Sequence, residues 1–113
     1  MAVTLCGASW YNQKYFFNPD FSRIPKDVQE ELQILCVSFT EDVGGVLTIE
    51  FGEDKLPHFT VRSAEGDPRF DELGSELKIR KLQEEKAELM QQLAAFYRIF
   101  ILGELPQEGG GDA

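Results

Sequence analysis

SELKIRKLQEEKAELMQQLAAFYRIFIL, residues 75–102, is the stretch whose reading decides the fold. Ile79, Leu82, Leu89, Leu93, Phe96 and Phe100 recur at steps of three and four once Lys86 is counted among them. That spacing keeps one face of an α-helix apolar over several turns. A helix of roughly 28 residues is about 42 Å long, whereas a domain of this size is roughly 34 Å across. The reading predicts a C-terminal helix that overhangs its own domain and needs cover at its far end, most simply from a second copy. Leu82, Lys86, Leu89, Leu93, Phe96 and Phe100 are therefore the candidate dimer interface. Lys86 sits on the stripe itself. Its stem can cover apolar surface while the ammonium reaches water, or it can fix register against a partner helix.

Upstream, Gly66-Asp67-Pro68 breaks the chain, and Ser75 is the expected cap of the long helix. Before that break the period is 2. Leu47, Ile49 and Phe51 alternate with Thr48 and Glu50, and Phe59 and Val61 alternate with His58, Thr60 and Arg62. With a turn at Gly52-Glu53-Asp54-Lys55, this reads as a β-hairpin over about 45–64. Pro57 at the start of the second strand is tolerated because a lost ladder donor matters least there. Further upstream, Val28, Leu32, Leu35, Cys36, Phe39 and Val43 mark one face of a helix over about 25–42. Pro25 suits its start and Gly44-Gly45 its end. Ile34 and Val37 widen the face, which predicts burial on more than one side. Residues 9–17 hold Trp10, Tyr11, Tyr15, Phe16 and Phe17. Four-residue spacings and Ser9 favour a short helix, although aromatic β-propensity argues for a strand. Asn18-Pro19 ends the element.

The expected fold is thus α+β: a short aromatic N-terminal helix, a helix, a β-hairpin and a long C-terminal helix. It forms one domain over 1–104, with 105–113 a disordered acidic and glycine-rich tail. The chain has 113 residues, is 42% hydrophobic and carries a net charge of −9. That balance disfavours nucleic acid and anionic membrane surfaces and would suit a basic protein partner. No apolar run is long enough to span a membrane, and Met1–Gly7 lacks the features of a signal peptide. A cytoplasmic location is the expectation. Cys6 and Cys36 fit no zinc spacing; a bridge between them is open but unexpected in a reducing compartment.

Chemistry is hard to find in this pattern. His58 is the lone histidine and has no recognisable nucleophile beside it. Glu41, Asp42, Glu53 and Asp54 read as solvated acids rather than a catalytic pair. The expectation is a non-enzymatic protein without metal or cofactor. Trp10, Tyr11, Tyr15 and Phe17 are the candidate ligand-binding residues, since pockets are mostly apolar and aromatic.

Glu31-Leu32-Gln33-Ile34-Leu35-Cys36, Phe39-Thr40-Glu41-Asp42-Val43-Gly44-Gly45, Gly74-Ser75-Glu76-Leu77-Lys78-Ile79-Arg80 and Tyr11-Asn12-Gln13-Lys14-Tyr15 carry a resemblance. Together they resemble a family of small, uncharacterised cytoplasmic proteins of Gram-positive gut anaerobes, over roughly residues 5–102. The resemblance implies a single cytoplasmic domain. That family has no assigned activity, so it lends no functional residues. The composite expectation is a homodimeric interaction or adaptor protein, with a small-molecule-binding or sensing module as the alternative.

Overall fold

Alternation is strictest in the strand that runs through the middle of the molecule. Leu47, Ile49 and Phe51 are sealed from solvent while Val46, Thr48 and Glu50 are half-buried, so one face of this strand looks into the core. The computed structural model describes residues 2–104. Its sheet has four antiparallel strands: β1 (Val3–Ser9), β2 (Lys14–Phe17), β3 (Val46–Phe51) and β4 (Pro57–Arg62), in the order β2-β1-β3-β4. Cys6 and Ala8 of β1, Tyr15 and Phe17 of β2, and Phe59 and Val61 of β4 share the core face by register with Ile49 and Leu47.

Against this face lies α1 (Lys26–Val43), which buries Leu32, Leu35, Cys36, Phe39 and Val43. The helix follows Pro25 and closes at Gly44, whose N–H returns to the Thr40 carbonyl at 2.7 Å with φ at +81°. Gly45 is also left-handed, and a Cβ there would sit 2.6 Å from the Arg62 carbonyl, so the link into β3 requires glycine. Ile34 is 65% exposed and corrects the prediction of burial on two sides; Val37 is packed on the core as expected.

The N-terminal helix expected over 9–17 is not there. Ser9 ends β1, a turn spans Trp10 to Gln13, and β2 follows. Gln13 has φ +54°, a turn conformation no helix contains. Aromatic β-propensity prevails over helical spacing because Tyr15 and Phe17 find β1 to pack beside. Ser9 Oγ accepts the Asn12 N–H at 3.3 Å, so it serves a turn and not a helix.

The long C-terminal helix is also divided. α2 (Glu72–Glu85) and α3 (Ala87–Phe96) join at Lys86, whose φ of −109° and ψ of 21° leave the helical region. Lys86 keeps both its backbone bonds, from its N–H to Leu82 and from the Met90 N–H to its carbonyl, so the rod bends without fraying. A π-helical turn, Tyr97–Ile101, continues α3. The cap of α2 is Asp71, not Ser75: Asp71 Oδ1 accepts the Gly74 N–H at 2.8 Å. Ser75 is buried inside the first turn, its hydroxyl on the Glu72 carbonyl. The single rod expected over 75–102 is thus two helices, joined at Lys86, and a π-helical turn. The tail expectation for 105–113 lies outside the described residues. Among the described residues no helix is long and apolar enough to cross a membrane.

Candidate functional site

The four candidate ligand-binding aromatics are held by two different devices. Trp10 follows β1, donates its N–H to the Gly45 carbonyl at 2.9 Å, and lies under the Arg69 guanidinium, 4.0 Å from the ring centre. Arg69 also reaches the Glu41 carbonyl at 2.9 Å. Tyr11 donates its hydroxyl to Asp67 Oδ2 and accepts the Ala64 N–H at 2.8 Å. Its donation to Asp67 raises the phenol above its ordinary range and holds the Asp67 carboxyl below its own. Tyr11 and Trp10 thus latch the 63–70 loop to the N-terminal hairpin. Tyr15 and Trp10 line a recess of about 210 Å³ with Gln13, Gln33, Thr40 and Glu41. That is below the roughly 300–1,000 Å³ usual for ligand sites. Phe17 lies on the core face instead, opposite Cys6.

The candidate interface residues are largely used inside the subunit. Leu89 and Leu93 are buried in the core, and Leu82 and Phe96 pack against it. Lys86 Nζ pairs with Glu31 Oε2 of α1 at 2.9 Å, so its stem crosses apolar surface and its charge ends on the same chain. Phe100 alone of the six is an exposed large hydrophobic, and Arg23 stands over its ring at 5.3 Å. Within the subunit the stripe is buried at Leu89 and Leu93, half-buried at Leu82 and Phe96, and open at Phe100. Beside it Phe21, Phe51 and Tyr97 form an aromatic cluster, with Phe51 at 5.6 Å from Phe21 and 4.2 Å from Tyr97.

An opening with largely apolar walls lies where the expectation did not look. A groove of about 450 Å³ runs between β4 and α3, walled by Leu56 and Phe59 on one side and Ala87, Met90 and Ala94 on the other. β4 is an edge of the sheet. The Gly52 N–H donates to the Leu56 carbonyl at 3.2 Å, and the Trp10 N–H to that of Gly45 at 2.9 Å. In antiparallel pairs such bonds recur at every second residue. His58, Thr60 and Arg62 therefore direct their backbone groups to β3, and Phe59, beside the groove, and Val61, beyond it, direct theirs outward from the sheet edge. Small side chains on α3 leave room beside this edge.

Charge marks one end of the groove. Arg98 is exposed there and has no acid partner among the described residues, in a chain with twenty acidic and eleven basic side chains. His58 lies nearby, with Nε2 at 2.8 Å from Asp54 Oδ2. The Leu56 N–H, and then His58, hold the Asp54 carboxyl below its ordinary range. Among the described residues no group of three or more His, Cys, Asp or Glu side chains is placed to hold a metal ion. The signal in the sequence for this site is Pro57, a residue that belongs at a sheet edge. The groove itself needs the strand order, which no local pattern carries.

No curated protein and no solved structure matches the chain. One family model does, over residues 2–105, and it describes a family of unknown function, DUF6145. Because that match spans almost the whole length, the chain belongs to the DUF6145 family.

Proposed function

We propose that this protein is a non-catalytic interaction module that accepts an extended segment of a partner protein along β4. The observation that carries the reading is the conjunction of a sheet edge that no described strand covers, an apolar groove beside it and, at its end, an Arg98 with no acid partner among the described residues. An added strand would satisfy the outward backbone groups of Phe59 and Val61. Its alternate side chains would fall over Ala87, Met90 and Ala94, and a carboxylate on the segment would meet Arg98. The fit describes an adaptor that reads a short alternating apolar motif ending in acid.

Selection of random twelve-residue peptides on the intact protein tests this. Alternating apolar peptides with an acidic end should be enriched on wild type and lost on Val61→Pro, which deletes one outward N–H and leaves the bonds to β3 alone. Arg98→Glu should remove the acid preference. Peptides that bind all three proteins equally would defeat the reading.

A homodimer is the second reading. Leu73, Leu77 and Ile34, exposed at 68%, 58% and 65%, are large aliphatics on α1 and α2 that nothing in the subunit covers. Light scattering decides it: a mass of twice 12.8 kDa supports self-association, and the single-chain mass at high micromolar concentration removes it. The acidic helices around these residues would equally suit a basic partner protein.

A further inference from the structure

Cys6 is central in β1 and Cys36 is central in α1, and both are fully buried and reduced. They are the only two cysteines of the chain. Their sulfurs stand 3.9 Å apart across the strand–helix interface. A disulfide requires about 2.05 Å, so closure needs roughly 2 Å of approach, which side-chain rotation and a small slide of α1 on the sheet supply.

A third group faces the pair. The Tyr15 hydroxyl of β2 is buried beside Cys6 and has no hydrogen-bond partner of ordinary geometry among the described residues. An orphaned buried hydroxyl is costly, and next to a sulfur it is a donor in waiting. The Cys36 thiol and then the Tyr15 hydroxyl favour a thiolate on Cys6 and hold it below the ordinary thiol range, against the opposing effect of burial. The same sulfur contact, together with burial, pushes Cys36 up. With the Tyr15 hydroxyl on its side of the sulfur contact, Cys6 is the sulfur placed to hold the thiolate and Cys36 the one placed to donate to it.

Access is the remaining requirement. Tyr15 forms part of the wall of the 210 Å³ recess beside Trp10, and its buried hydroxyl stands beside Cys6. β2, which covers Cys6 from one side, is a four-residue edge strand. Such a strand opens more readily than a central one.

We propose that Cys6 and Cys36 are a site of reversible oxidation, closed to an intramolecular disulfide by hydrogen peroxide or a small hydroperoxide. The Cys6 thiolate attacks one peroxide oxygen, the O–O bond breaks, and the leaving hydroxide takes a proton to become water. Cys6 then carries a sulfenic acid. The Cys36 sulfur attacks the Cys6 sulfur, the S–S bond forms, the S–O bond breaks, and a second water leaves with the Cys36 proton. Two electrons pass from the two thiols to the peroxide. The new bond pins α1 to the sheet and encloses β2 in its loop. It needs no occupant of the β4 groove, so it stands or falls separately from the proposed function.

The experiment treats the full chain with hydrogen peroxide under native conditions, then alkylates in denaturant and measures intact mass. The expected product is a single chain lighter by two hydrogens, with no alkylated thiol, and restored by dithiothreitol. Cys36→Ser should stop at a Cys6 sulfenic acid trapped by dimedone, while Cys6→Ser should leave Cys36 unmodified at the same dose. Tyr15→Phe should slow the oxidation about tenfold; an unchanged rate would remove the tyrosine from the site. Two alkylated thiols after treatment, disulfides only between chains, or dimedone on Cys36 instead of Cys6 would overturn the proposal.

Discussion

α2 and α3 follow one another with a single residue between them, yet opposite kinds of force hold them. α3 turns Leu89, Leu93 and Ala94 into the core and continues into Tyr97, which stacks on Phe51. α2 buries Ser75 alone and leaves Leu73 and Leu77 in solvent. Its apolar ties are Ile79 and Leu82, only half-buried against the core, and the rest are polar: the Asp71 cap, the Asp71 N–H on the Val43 carbonyl at 2.9 Å, Lys78 on Asp42 at 2.8 Å, and Lys86 on Glu31 at 2.9 Å. Burial of an apolar side chain resists solvent and salt together, whereas exposed ion pairs contribute little and are screened. α2 is therefore the segment expected to open first, at a free energy well below that of global unfolding.

Four measurements break or sharpen this contrast. The largest effect belongs to Leu93→Ala in α3, where the side chain is 2% exposed. It should cost about 2–5 kcal/mol in urea unfolding; a loss below about 1 kcal/mol would place Leu93 outside the core. Asp71→Ala should cost about 1 kcal/mol by leaving the first turn of α2 uncapped. Hydrogen exchange should then quicken in α2 while the α3 amides stay protected, and equal acceleration in both would show one cooperative rod. A double-mutant cycle on Lys86 and Glu31 should give a coupling below about 1 kcal/mol, because both groups are partly exposed. That coupling should shrink in 1 M salt, where the Debye length is about 3 Å. Leu77→Ser, changing a leucine on the open face of α2, should stay within about 0.5 kcal/mol in dilute solution.

The sequence shows α1 and the β3–β4 hairpin clearly because each has one wet face and one dry face. Their periods survive, and Gly44-Gly45 and Gly52 punctuate them. β1 hides for the opposite reason. Leu5, Cys6, Gly7 and Ala8 are all buried, and an irregularity between Thr4 and Cys6 interrupts the register, so no alternation remains to read. Lys86 hides too, since neither glycine nor proline marks the break in the helix there. The apolar stripe was legible, but its partner was not, because Leu89 and Leu93 cannot announce whether a neighbour or their own core covers them. Of the aromatic site, Trp10 and Tyr15 share a recess while Tyr11 and Phe17 go elsewhere. Tyr15 and Phe17 share one face of β2, and Trp10 and Tyr11 sit in the turn before it, so the strand and the turn part residues that a helix would have gathered.

The latch of Arg69 over Trp10 has a practical consequence. Trp10 is the chain's single tryptophan, and its indole is capped by the loop that leads into α2. Its emission therefore acts as an optical gauge of that loop. During a denaturation series the fluorescence midpoint should precede the far-ultraviolet circular dichroism midpoint, separating release of the α2 lead-in from collapse of the whole body in one cuvette.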